Sequence, residues 1–184
     1  MAFLLPHEMI GSMVKEDSKD QWVSIGEDQA GFKAELGKWG HRMGIDTSSD
    51  PWGIISLWGD AGPTVKEESL YLLSWSLLSG VIRQRFWAVA FNKSRICACG
   101  CRGRHTFDRI FAVMAWSIRA LIAGFYPSHD HQGVAFERGS CRGEWAQARK
   151  QLPIRGVCLA KYGDWAWFRE SLGLMGLERR GTQG

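Results

Sequence analysis

No apolar run in this chain has the length that a bilayer demands. A spanning helix needs about 20 apolar residues. The longest uncharged apolar-rich stretch, Ser69 to Ile82, has 14, and the stretch after Ile110 is broken by Arg119. The first residues, Met1-Ala2-Phe3-Leu4-Leu5-Pro6, lack the charged region and the apolar length of a signal peptide. The expectation is an intracellular protein with no membrane partner. No internal repeat is evident. The five cysteines are an odd number, and Cys97, Cys99 and Cys101 crowd into five residues. That spacing suits a reducing compartment or a metal ion better than a disulfide framework.

What is present describes one globular unit. The 184 residues, 45% hydrophobic and 23% charged, are enough for a core. Ten tryptophans bring large buried area, and in a nucleic-acid protein some can stack on bases. The net charge of +4 is unevenly spread. Residues 1–70 carry 12 acidic and 6 basic side chains, whereas residues 71–184 carry 7 acidic and 17 basic. An acidic leader on a basic body fits a polyanionic partner.

Residues 1–50 read as a weakly patterned or helical acidic leader, with Phe32, Leu36, Trp39 and Met43 at helical spacing among Gly31, Gly37 and Gly40. The cluster Asp46-Thr47-Ser48-Ser49-Asp50-Pro51 marks the boundary of a core over residues 51–176, and residues 177–184 form a frayed tail. Gly53 to Trp58 reads as a strand that runs into a turn at Gly59-Asp60-Ala61-Gly62-Pro63. Leu70–Leu78 and Phe86–Phe91 complete an antiparallel meander. A helix capped by Thr106 and ended by Gly124 follows, with Phe107, Ile110, Phe111, Met114, Ile118, Leu121, Ile122 and Phe125 on one stripe. After a polar loop from Pro127 to Leu152 come a fourth strand, Ile154 to Tyr162, and a short helix, Trp165 to Leu172, capped by Asp164.

That order predicts an α/β fold with a ribonuclease H-like mixed sheet: three antiparallel strands, a helix, a parallel fourth strand and a helix. It is incomplete at the C-terminus, because a fifth strand is missing. In such a sheet Asp60 and Asp164 emerge at one edge, where a divalent cation relieves the repulsion between two carboxylates. A turn residue and a helix cap are the plainer roles for the same two acids. Cys97, Cys99 and Cys101 with His105 offer zinc-type donors. The spacing is not that of a Cys-x2-Cys knuckle, and a compact loop is not expected to aim three alternate cysteines at one ion. A site shared with His129, His131 or Cys141 is the alternative, and loosely exposed thiols are the plainer one. Lys93, Arg95, Arg102, Arg104 and Arg109 lie within 17 residues around them and can follow a phosphate backbone. His129-Asp130-His131 reads as a surface loop.

The ordered blocks Ile55-Ser56-Leu57-Trp58-Gly59-Asp60-Ala61-Gly62-Pro63, Thr106-Phe107-Asp108-Arg109-Ile110 with Ala115-Trp116-Ser117, His129-Asp130, and Arg155-Gly156 through Gly163-Asp164-Trp165-Ala166-Trp167 resemble a known set of sequences. They are similar to the multicopy mobile-element-like open reading frames of dinoflagellate genomes, over roughly residues 52–176. Those frames resemble DDE-type transposases. The resemblance implies a nuclear, nucleic-acid-binding protein, with DNA favoured over RNA. It also implies Mg²⁺ or Mn²⁺ held by Asp60 and Asp164 for phosphodiester cleavage or strand transfer. The chain departs from that pattern at the third acid: Glu170 and Glu178 stand too close to Asp164 to replace it. Losing one metal-binding carboxylate costs most of the activity, so the expectation is a truncated copy that binds nucleic acid with little or no catalysis. A non-enzymatic, zinc-stabilised DNA- or RNA-binding module is the alternative, and an inert relic the third reading.

Overall fold

Three consecutive apolar runs pair as the meander that their spacing predicts: β1 (Trp52–Pro63), β2 (Ser69–Leu77) and β3 (Arg85–Asn92). β1 lies antiparallel to β2, and β2 to β3. A fourth strand, β4 (Arg155–Gly163), returns parallel to β1 on its other side, which gives the order β3-β2-β1-β4. The protein is therefore α/β, with a mixed four-stranded sheet. The computed structural model describes residues 3–23, 30–48, 51–63, 69–81, 84–101, 103–163, 167 and 171.

A 20-residue helix, α4 (Arg104–Ala123), crosses one face of the sheet between β3 and β4. Its stripe Phe107, Ile110, Met114 and Leu121 is buried in one cluster with Leu57, Tyr71, Leu73, Trp75 and Val89 from the strands. Gly124 ends it in the left-handed conformation at φ 78°, and its N–H reaches the carbonyls of Ala120 and Leu121. The helix starts earlier than its sequence predicts. Gly103 is the N-cap, and Thr106 lies inside the first turn with its hydroxyl turned to another use.

β1 also differs from its expectation. The segment Gly59 to Pro63 does not turn away but continues the strand, with Asp60 opposite Leu72 and Pro63 opposite Ser69. β4 accompanies β1 only as far as Gly59 opposite Gly163. Beyond that point no strand flanks this side of β1 among the described residues, so the N–H that proline lacks is not required there. Gly59 has a packing reason: a Cβ there would run into the indole of Trp167, which is buried over it.

The N-terminal residues form helices on both faces. α1 (Pro6–Met13) buries His7 and Ile10 on the α4 side, and full burial of a side chain such as Ile10 is worth about 2 kcal/mol. α2 (Lys19–Val23) adds Trp22 to the same core. α3 (Ala30–Met43) covers part of the opposite face, where Leu36 packs with Trp52, Ile54 and Val157. A short helix, α5 (Cys141–Gln147), interrupts the stretch read as loop. The Ser140 hydroxyl caps it by accepting from the Gly143 N–H, and Arg142 ties it to Glu8 of α1 at 2.6 Å. Trp167 and Ser171 are helical. Among the described residues no helix is long and apolar enough to cross a membrane.

Candidate metal centre

The cysteine-bearing loop leaves β3 through a 3₁₀ turn (Lys93–Arg95) and enters α4 at Gly103. Two residues in the left-handed region bend it back on itself, Gly100 at φ 88° and Gly103 at φ 83°. Only glycine takes that conformation without strain. A Cβ on Gly103 would lie 2.6 Å from the Ile96 Cγ2, so the loop crosses its own start closely there. Thr106 does not cap the helix; its hydroxyl accepts the N–H of Cys97 at 2.9 Å and fixes the first cysteine over the first turn of α4.

This folding corrects the sequence-based expectation that one loop cannot aim three alternate cysteines at a point. The four donor atoms of Cys97, Cys99, Cys101 and His105 all lie within 4.8 Å of one another. The Cys97 and Cys99 Sγ atoms are 3.2 Å apart, and the His105 Nδ1 lies 3.3 Å from Cys99 Sγ and 3.7 Å from Cys97 Sγ. In a tetrahedral zinc site with bonds of about 2.3 Å to sulfur, neighbouring ligand atoms stand about 3.7 Å apart. The spacings among Cys97, Cys99 and His105 need outward shifts of no more than a few tenths of an ångström, and Cys101 completes the set within the 4.8 Å span. Cys99 and His105 are exposed and Cys97 and Cys101 half-buried, and none of them is in a disulfide.

The electrostatics favour thiolate at Cys101 and oppose it at Cys99. The backbone N–H of His105 holds the Cys101 thiol down to about 6, with help from the neighbouring thiols, while sharing protons with Cys97 and Cys101 pushes Cys99 up. Three thiolates and a neutral imidazole around Zn²⁺ carry a net charge of −1, which suits the positive end of α4. The donor set thus fits a structural zinc ion and leaves it no open position.

The other sequence-predicted positions fall elsewhere. Lys93 and Arg95 lie on the 3₁₀ turn before the loop, and Arg104 and Arg109 in the first two turns of α4 after it; all four are exposed. Arg104 has Asp108 at 3.6 Å, an exposed pair of little energetic weight. Arg102 lies outside the described residues, as do Asp164, Glu170 and Glu178. Asp60 is exposed on β1, its carboxylate accepting the N–H of Ala61 at 2.8 Å. Among the described residues the cysteines and His105 draw in no ligand from His129, His131 or Cys141. Asp130 accepts the N–H groups of Gln132 and Val134, and these hold its carboxyl below the usual range. His129 meets the Ser128 hydroxyl at 2.7 Å. That loop is built by its own hydrogen bonds.

Comparison with protein-family models, with curated proteins and with solved structures finds no match for this chain.

Proposed function

We propose that the chain is a non-enzymatic, zinc-stabilised nucleic-acid-binding module carried on a ribonuclease H-like sheet. The observation that carries this reading is the convergence of Cys97, Cys99, Cys101 and His105, between two elements that display Lys93, Arg95, Arg104 and Arg109. Zinc supplies a cross-link here, not chemistry. It would fix the loop against α4, and so hold the cations in one arrangement from which phosphates are contacted. Salt dependence tests the nucleic-acid half of the proposal. Replacing Arg104 and Arg109 by alanine should reduce the slope of log affinity against log salt by about 1 for each phosphate left without its arginine. An unchanged slope would remove these arginines from the interface.

Descent from a DDE-type transposase, of the kind found in the dinoflagellate mobile-element-like frames, is the second reading. Its support is the strand order β3-β2-β1-β4 with β4 parallel to β1, and the register that sets Gly59 opposite Gly163, the residues just before Asp60 and Asp164. On this reading Asp60 and Asp164 are the remnant of a Mg²⁺ or Mn²⁺ site. A melting temperature raised by Mn²⁺ in the native chain but not in Asp60→Asn would support it, and equal shifts in both would end it.

A further inference from the structure

Among the described residues the sheet face opposite α4 is covered in part by α3, and the remainder carries an ordered row of rings. Trp87 on β3 pairs with Ser74 on β2, Ser74 with Trp58 on β1, and Trp58 with Tyr162 on β4. Directly paired residues share a face, so one aromatic row runs across all four strands, with a small hydroxyl residue at its second place. The next row, Arg85, Ser76, Ser56 and Ala160, has the same low centre. Over this floor the Arg85 guanidinium reaches back to lie 4.0 Å from the Trp58 ring. The other side of Trp58 is stacked on Tyr162, with centroids 4.2 Å apart and planes 19° from parallel. The Trp58 indole N–H donates to the Ser56 hydroxyl, which in turn meets Ser76 at 2.8 Å, so the stack is fixed in orientation.

Such a stack is not a core feature. Trp87 is 62% exposed and Tyr162 37%. Arg85 is exposed too, and among the described residues no carboxylate pairs with it. Tyr162 sits on an edge strand, and no further strand flanks β4 among the described residues. The rings and the guanidinium offer flat π-faces and one positive charge, and Trp87, Arg85 and Tyr162 come from residues 71–184, which carry 17 basic and 7 acidic side chains. Bases locked in a duplex cannot reach a flat sheet face, whereas unpaired bases can stack on it.

We propose that this face is a stacking platform for single-stranded nucleic acid. An unpaired base continues the Arg85–Trp58–Tyr162 stack on the outer face of Tyr162, and a second lies on Trp87. The Arg85 N–H groups meet a phosphate between them. Asp60, two residues along β1 on the same face, marks the side from which the phosphates are kept away. The inference rests on the nucleic-acid reading above and gives it a substrate class.

The test is fluorescence anisotropy with a labelled oligothymidylate strand and with a mixed-sequence duplex. The proteins are the native chain, Trp87→Ala, Tyr162→Ala, Tyr162→Phe and Arg104→Ala. Removing one stacking ring should weaken single-strand binding about fivefold or more. Duplex binding should stay within about twofold, and Tyr162→Phe should keep native affinity, because phenylalanine preserves the π-face. Arg104→Ala should weaken both probes alike. If Trp87→Ala and Tyr162→Ala bind the single strand as the native chain does, the platform is overturned while the zinc-loop interface stands. If the native chain binds neither probe, both proposals fall. A native chain that sediments as a dimer and becomes monomeric on Trp87→Ala would assign the face to a second copy and also overturn the platform. Trp87 is exposed, so its variant keeps the core and carries the test even if Tyr162→Ala melts early.

Discussion

Acid should loosen the packing of α1 on α4 through a single buried side chain, His7. The imidazole is only 1% exposed. Its Nδ1 lies 2.8 Å from the Ser117 Oγ on α4, and the His7 backbone N–H donates to the same oxygen. The ring packs edge-on against Trp116 and Tyr126, with centroids 5.0 and 6.1 Å away. The Ser117 hydroxyl therefore has its own proton to give, and the neutral ring accepts it at Nδ1. Burial lowers the His7 pKa from 6.5 to about 4; the carboxylate of Glu8 resists this and Arg142 adds to it. In the unfolded chain the ring takes up a proton near pH 6.5, and in the folded protein only near 4. Stability from the neutral ring is thus complete above pH 6.5 and falls by up to 1.4 kcal/mol per pH unit below it. The decline levels off below about pH 4 at a total of about 3 kcal/mol. Urea unfolding at a series of pH values measures this, with His7→Gln as the reference. Glutamine accepts the same hydrogen bond without titrating, so the difference in pH slope isolates His7 from carboxylates that also protonate in acid. Equal slopes in the two proteins would refute the reasoning. So would a His7 ring resonance that titrates near 6.5 in the folded state.

Further predictions concern the glycines that carry the site and the sheet. Gly103→Ala forces a side chain into a left-handed position at φ 83° and against Ile96. It should cost about 1–2 kcal/mol in urea unfolding and weaken metal affinity measured by chelator competition. Gly59→Ala should displace the Trp167 indole at a cost of about 1–3 kcal/mol. In the double variant with Trp167→Ala most of that added cost should vanish, and a strictly additive cycle would contradict the packing. Thr106→Val keeps the helix but removes the acceptor for the Cys97 N–H. It should cost about 1 kcal/mol and lower zinc affinity more than a surface change on α4 does.

The parts of the fold that repeat are the parts that could be read. The stripe from Phe107 to Leu121 has helical period, and the runs that form β1 to β4 are short, apolar and punctuated by glycine. The parts that depend on one contact were not legible. Residues 6–13 show little periodicity because α1 turns a polar side chain, His7, into the core, where it meets the Ser117 hydroxyl 110 residues away. The short helix α5 hides in a polar stretch because its hold is not periodic: one ring, Trp145, packs on Tyr126 with centroids 4.4 Å apart, and Arg142 pairs with Glu8. At the cysteine loop the donors were visible in the spacing, but their convergence was not. The missing information lay in Gly100 and Gly103, whose left-handed turns look in the sequence like ordinary loop glycines. Thr106 reads as a cap because threonine before an apolar stripe usually is one; in the structure the loop claims its hydroxyl first. The aromatic row needed the strand register before Trp58, Trp87 and Tyr162 could be placed side by side.

The zinc site is the central claim, and metal content tests it most directly. The chain should be purified under reducing conditions without added metal and analysed for zinc by mass spectrometry, beside Cys99→Ser and His105→Ala. The account predicts one zinc ion per native chain and a large fall in both variants, with Cys141→Ser as an unaffected control because Cys141 lies outside the ligand set. A native chain without zinc that also fails to take up one equivalent when it is supplied would contradict the account. So would zinc retained in full by Cys99→Ser.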